Sequence, residues 1–374
     1  MVIGVPREIK PQEGRVSATP AVTHQLVQAG HTVLVEAGAG VASSFSDEEY
    51  EAAGAEIVEN AADVWNRADL IYKVKEPLQE EFKYFREDLI IYTYLHLASA
   101  PELTDALIEN KTTGIAFETV QIGRATPLLR PMSEVAGRLA IQEGAKHLQQ
   151  NNGGLGLLLG GVPGVRPGNV VVVGGGIVGT AAVRIAVGMG ARVTVLDNNL
   201  PRLAELVDIF GNDIETLYSN SMNIASAVKD ADLVVSTVLI PGHKAPQLIT
   251  EEMVKTMKEG SVIVDVAIDQ GGSTELTARH GATTHKDPVF VEYGVINYAV
   301  GNMPGAVPRT STMALANATS QYLLLIANSG LENAIARRPE LALGINTING
   351  KVTNQGVAEA CGKEFVELEE AMKA

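Results

Sequence analysis

The stretch Val170-Val171-Val172-Val173-Gly174-Gly175-Gly176-Ile177-Val178-Gly179, followed by Val193-Thr194-Val195-Leu196-Asp197, decides the fold. Four β-branched residues in a row suit a strand buried on both faces, and Gly174, Gly176 and Gly179 follow it with G-x-G-x-x-G spacing. The first glycine permits a tight turn, the second admits a pyrophosphate to the backbone, and the third lets the helix beginning near Ile177 pack on the strand. N–H groups at the start of that helix bind phosphate. The helix is expected to end at Gly188 to Gly190, and Asp197 then closes the next strand. A carboxylate there accepts hydrogen bonds from the ribose hydroxyls of an adenosine and repels a 2′-phosphate, so NAD is expected rather than NADP. Strand, helix and acid agree on a dinucleotide site, which a bare glycine motif would not establish.

With 374 residues the chain exceeds one ordinary core and suits two domains. Hydrophobic residues at 46% and charged residues at 20% fit a globular enzyme and not a disordered chain. The net charge of -15 argues against nucleic acid or an anionic membrane surface as partner. Cys361 is the one cysteine, so no intrachain disulfide forms and no cysteine-based metal site is expected. No signal peptide is read at Met1-Val2-Ile3-Gly4-Val5, and the longest apolar runs fall short of the ~20 residues that span a bilayer. A cytoplasmic protein with no metal is the expectation.

Short apolar strands alternate with amphipathic helices before the glycine motif. Val2 to Val5, Thr32 to Val35, Leu70 to Val74, Leu89 to Tyr94 and Gly114 to Phe117 read as strands, with Ala21 to Ala29, Asp47 to Ala53 and Glu102 to Glu109 as helices between them. A long helix from about Ser133 to Gln150 leads to the nucleotide strand. Val170 to Val173, Val193 to Leu196, Leu233 to Ser236 and Val262 to Val266 form a second βα series. A further long helix, roughly Thr312 to Ala327, opens a tail with no evident sheet of its own. The fold class expected is α/β, with two Rossmann-like domains whose mostly parallel sheets flank a cleft and are joined by long helices. The substrate domain is discontinuous, 1–127 plus 307–374, and the nucleotide domain is 128–306.

Open parallel sheets bind ligands outside the carboxyl ends of their strands, which singles out Arg15, Lys75 and His96 after three N-terminal strands. Three cationic or titratable groups there point to an anion pocket. Lys73 competes with Lys75, since alternation puts both on one face, and Arg15 could equally be a solvated loop charge. His96 has a structural alternative as a hydrogen-bonded histidine. Asp269, in Asp265-Val266-Ala267-Ile268-Asp269-Gln270-Gly271-Gly272, follows a nucleotide-domain strand and could instead cap a turn.

The chain closely resembles the alanine dehydrogenases over nearly its whole length, from Gly4-Val5-Pro6-Arg7-Glu8 through the glycine motif and Asp265 to Gly272, to Asn302-Met303-Pro304-Gly305-Ala306-Val307-Pro308. The resemblance implies that Arg15 and Lys75 bind substrate and that His96 and Asp269 are catalytic, one from each domain. It assigns the cofactor NAD to Ser133, Gly174, Gly176, Val178, Gly179, Asp197, Arg202, Ser219, Val238, Leu239, Val266, Ala267, Ile268, Asp269, Val300, Asn302 and Met303. It also implies reversible oxidative deamination of L-alanine to pyruvate and ammonia by a homohexamer. The alternatives are the soluble NAD(H)-binding component of a proton-translocating transhydrogenase, which has no amino-acid chemistry to serve with a histidine at position 96, and a non-catalytic NAD sensor, which would be expected to lose one of the four polar residues.

Overall fold

A computed structural model describes residues 1–238 and 245–373. The chain forms two compact units, Met1–Met132 with Val307–Ala374, and Ser133–Ala306. The strands in chain order are β1 (Val2–Val5), β2 (Thr32–Glu36), β3 (Glu56–Val58), β4 (Leu70–Tyr72), β5 (Ile90–Thr93), β6 (Thr113–Ala116), β7 (Asn169–Val173), β8 (Arg192–Asp197), β9 (Ile214–Tyr218), β10 (Leu233–Ser236), β11 (Val262–Asp265), β12 (Val289–Glu292), β13 (Val295–Tyr298), β14 (Ile345–Ile348) and β15 (Lys351–Val352).

The first unit carries an eight-stranded sheet in the order β15-β14-β6-β5-β4-β1-β2-β3. Strands β6 to β3 of that order are parallel, and β14 and β15 extend it antiparallel beyond β6. Its core is built from strand residues such as Leu34, Ile71 and Ile91 and helix residues such as Trp65, Leu107 and Val357. The second unit carries a seven-stranded sheet, β12-β13-β11-β10-β7-β8-β9, parallel except for the edge strand β12. Val170 to Val173 are at most 3% exposed, as both faces of a central parallel strand must be. Strand order reverses at β7, the topological switch point where α/β sheets take ligands.

Side chains fix where the helices start. Thr19, Asn199 and Asn220 cap Pro20–Gln28, Leu200–Phe210 and Ser221–Asp230 through their side-chain oxygens, each satisfying one otherwise orphaned N–H. The long connecting helix is Arg130–His147. The long apolar helix of the tail spans Pro308–Arg337, longer than its apolar stretch predicts, with a non-helical break at Gly330.

The tail differs from expectation, because it contributes β14 and β15 to the first sheet. These strands turn through Asn349-Gly350, with φ of 49° and 73°, the residue pair that a two-residue hairpin favours. β12 and β13 turn likewise through Tyr293-Gly294. Strands β3 and β9 are also additions to the reading, both at sheet edges and only partly buried. Among the described residues no helix is long and apolar enough to cross a membrane.

Candidate functional site

In the first unit Arg15, Lys75, His96 and Glu118 follow β1, β4, β5 and β6, four strands adjacent in the sheet. Arg15 is 2% exposed, which removes the reading of a solvated loop charge. Glu13 grips it: Oε1 accepts from Arg15 N (3.0 Å) and Nε (2.7 Å), and Oε2 accepts from Nη2 (2.5 Å). The remaining Nη1 lies 3.2 Å from Met132 Sδ. Glu13 thus takes the Nε–Nη2 edge of the guanidinium and fixes its plane.

Lys73 and Lys75 differ in burial and in partners. Lys73 is 1% exposed and pairs with Glu8 (3.3 Å) and Glu81 (2.9 Å). Burial works against its ammonium, but the two carboxylates outweigh it and raise its pKa. Lys73 is thus committed to two buried carboxylates, whereas the Lys75 side chain is 14% exposed and its Nζ lies 3.9 Å from Glu76 Oε2. Glu8 serves both, since its Oε1 also accepts from Val74 N (2.7 Å) and Lys75 N (3.3 Å), while Lys75 O accepts from Thr93 Oγ1 (3.0 Å). Lys75 is thereby tied to the end of β5.

His96 has left-handed backbone, φ 50° and ψ 36°, a conformation uncommon outside glycine. Glu118 sustains it by accepting from His96 N (2.6 Å) and Leu95 N (3.3 Å), and its Oε1 lies 3.8 Å from His96 Nδ1. The imidazole stacks on Tyr94, planes 8° apart. Burial pushes the Tyr94 hydroxyl up despite the nearby Arg15, so it stays neutral and donates to Leu128 O (2.7 Å). The imidazole side chain is 40% exposed and open to proton exchange.

The second unit brings the nucleotide candidates to the carboxyl ends of its parallel strands. Gly174 has φ +104° and Gly179 packs so tightly that a Cβ would sit 1.8 Å from Gly174 O, whereas a Cβ on Gly176 would meet nothing within 4 Å. The helix Ile177–Gly188 starts at Gly176 with no side-chain cap. Open space above Gly176 beside uncapped N–H groups is what a diphosphate requires, so the residues fit a dinucleotide.

Asp197 accepts from Gly175 N at Oδ2 (2.7 Å) and from Asn199 N at Oδ1 (2.8 Å), which braces the glycine turn and leaves further lone pairs on each oxygen for hydroxyl donors. Ser219 N donates to Asp197 O at 3.0 Å. Arg202 donates to Gly175 O (2.8 Å) and Thr180 Oγ1 (2.6 Å) and pairs with Glu205, so it clamps the turn from the following helix.

Ser133 precedes Gly137 by one helical turn. Gly137 approaches the nucleotide helix so closely that a Cβ would lie 2.1 Å from Val178 O, which brings the Ser133 face toward Val178. Val238 follows β10 and lies against Gly174. Val266, Ala267, Ile268 and Asp269 follow β11, and Val300, Asn302 and Met303 follow β13. Leu239 lies outside the described residues. Asp269 is exposed and accepts from Asn302 N at 3.1 Å, where Asn302 is again left-handed, φ 55°.

The candidates therefore assemble as two sets, one in each unit. Sequence reasoning missed Glu8, Glu13 and Glu118, the carboxylates that hold the first set. Only Glu13 left a signal, its spacing of two residues from Arg15.

Two family models match the chain: the one described as "Alanine dehydrogenase/PNT, N-terminal domain" over residues 4–136, and "Alanine dehydrogenase/PNT, C-terminal domain" over residues 140–355. An alanine dehydrogenase of Methanococcus maripaludis is 59% identical over 373 residues, covering 100% of both chains. The solved structure of an L-alanine dehydrogenase superposes with a TM-score of 0.92 at 48% identity, covering 96% of this chain and 99% of that one. A transhydrogenase from Sinorhizobium meliloti gives a TM-score of 0.81 at 26% identity, covering 95% and 99%.

Proposed function

The chain belongs to the alanine dehydrogenase/PNT family, and from that premise we propose that it is an NAD-dependent L-alanine dehydrogenase. It oxidises L-alanine with water to pyruvate and ammonium, releasing a proton, and runs the reductive amination in reverse. The observation that carries this reading is that a chain similar end to end to alanine dehydrogenases carries Arg15, Lys75, His96 and Asp269, each in the segment that follows a parallel sheet strand. In this proposal the first unit binds substrate and the second binds NAD.

NAD, when bound, supplies the acceptor for the hydride that leaves the substrate Cα. Gly174, Gly176 and Gly179 would hold its diphosphate and Asp197 its adenosine ribose. Ser133, Val178, Arg202, Ser219, Val238, Leu239, Val266, Ala267, Ile268, Val300, Asn302 and Met303 complete the proposed cofactor set. The Arg15 guanidinium, fixed by Glu13, takes the substrate carboxylate, and the Lys75 ammonium shares it and polarises the carbonyl oxygen that develops at C2. His96 carries the proton between amine or water and solvent, a role open to an imidazole that follows β5 and is 40% exposed. The Asp269 carboxylate orients the amine or the attacking water and stabilises positive charge on the imine.

Purified protein given L-alanine and NAD should form NADH and pyruvate in equal amounts, and little with NADP. NADPH with NAD should exchange no hydride; exchange without alanine turnover would make the protein a transhydrogenase component, and neither reaction would make it a sensor. His96→Ala and Asp269→Ala should each lower kcat by roughly 10²–10⁴-fold with NADH binding nearly intact. The proposal includes a cytoplasmic homohexamer, which light scattering on the purified protein tests. Exposed Leu158, Val162 and Val165, within eight residues of one another, supply apolar surface that supports self-association.

A further inference from the structure

We propose that Asp265 is a positioning residue that acts on the reaction through Asp269; the inference rests on the catalytic reading of Asp269. Asp265 closes β11 and is 0% exposed. Its carboxylate accepts from Ala267 N (3.0 Å), Ser273 N (2.7 Å), Ser273 Oγ (2.6 Å), Thr274 N (3.3 Å) and Thr277 Oγ1. These donors bracket residues 268–272, so one carboxylate grips both ends of the turn that carries Asp269.

The rest of the turn has little freedom once its ends are held. It reverses through Gly271 and Gly272, with φ of +94° and +83°, and a Cβ on Gly272 would lie 2.8 Å from Ala278 N. Ser273 Oγ also lies 2.7 Å from Ser236 Oγ at the end of β10, which ties the grip to the neighbouring strand. Asp269, by contrast, is exposed and its carboxylate receives Asn302 N at 3.1 to 3.2 Å, so its place follows from the backbone beneath it.

The chemistry of the grip demands a carboxylate. Five donors converge on two oxygens, and a buried ionised group persists only where such donors answer it. An asparagine would turn its own N–H₂ toward N–H and O–H donors and leave at least one without an acceptor. The turn would then move, and with it Asp269.

Asp265→Asn should therefore lower kcat for alanine oxidation by about 10- to 100-fold, the scale of an ångström-level misplacement of a reacting group. In the Asp269→Ala background the same substitution should change kcat less than about twofold, because the group it positions is gone. A merely structural role would multiply the two losses. Where Asp265→Asn does not fold, as judged by far-UV circular dichroism and a cooperative melt, Ser273→Ala decides. It removes one hydroxyl from the grip and should lower kcat several-fold in the parent and not in Asp269→Ala. Wild-type kcat in Asp265→Asn, or multiplying losses, overturns the proposal. Full activity in Asp269→Ala alone would instead overturn the catalytic reading on which it rests.

Discussion

Adding one methyl group at Gly176 separates a ligand site from a structural turn. The residue sits at φ -67° and ψ -160°, and nothing in the protein lies within 4 Å of an added Cβ. Stiffening the unfolded chain by Gly→Ala favours folding by about 0.4–1 kcal/mol, and a poorer helix cap costs a similar amount. The two offset, so Gly176→Ala should melt within a few degrees of the parent. The methyl meets only what approaches from outside. Displacing a diphosphate oxygen forfeits a hydrogen bond to a charged group, about 1.5–3 kcal/mol, so NADH should bind roughly 10- to 100-fold more weakly.

Gly179→Ala is the control. Its Cβ would lie 1.8 Å from Gly174 O, a backbone atom that cannot swing aside, and overpacking of that kind costs about 1–3 kcal/mol or more. It should lower the melting temperature, whereas Gly176→Ala should not. NADH fluorescence titration and thermal melts on the two variants read both effects. A Gly176→Ala protein that binds NADH as tightly as the parent, or melts as low as Gly179→Ala, refutes the assignment of the turn to the diphosphate.

Asp197→Ser should narrow the preference for NAD over NADP by roughly ten- to a hundred-fold in kcat/KM, with unchanged discrimination as the contrary result. Arg15→Ala strips a guanidinium from the Glu13 carboxylate, which is 0% exposed, and truncating a buried pair costs about 3–5 kcal/mol. Arg15→Lys is the sharper kinetic test: KM for alanine should rise with the fold intact, while Lys75→Ala should also depress kcat, and normal pyruvate binding in both would dismiss the anion site. His147 is 5% exposed, and burial, aided by Lys146 and opposed by Glu143, holds its pKa below the usual value. Among the described residues neither ring nitrogen has a hydrogen-bond partner, and Tyr298 packs against the ring. The unfolded chain takes up this proton at higher pH than the folded protein, so stability is greatest above ~6.5 and is lost as pH falls through the folded value. His147→Phe should flatten that decline in melting temperature, and parallel declines would count against it.

The central strands were legible because their burial is written in uninterrupted β-branched runs, as in Val170 to Val173. Edge strands were not: β9 mixes Glu215 and Thr216 with Ile214 and Leu217, and its burial is partial because it has one neighbour. The hairpin at Asn349-Gly350 carried a readable turn signal that the short strands around it obscured. Strand-end position was enough to nominate Arg15, Lys75 and His96, yet it left Lys73 and Lys75 level, and only Glu8 and Glu81 separate them. Partners such as Glu118 are invisible in the sequence, because it stands 22 positions after His96 and only the pairing of β5 with β6 brings them together.

The first sheet is completed by two strands that the ribosome delivers after the whole of the second unit. Strand β6 pairs with β5 on one side and waits for β14 on the other, some 230 residues downstream, while Ser133–Ala306 is made in one uninterrupted run. During synthesis the nucleotide-type unit has all its strands before the first unit can close its own edge, and β6 meanwhile offers unpaired N–H and C=O groups to any passing strand. A nascent chain stalled before β14 would thus be sticky while already holding a finished second unit. Maturation runs from the middle of the chain outward, and chaperone engagement is expected to concentrate on that open edge.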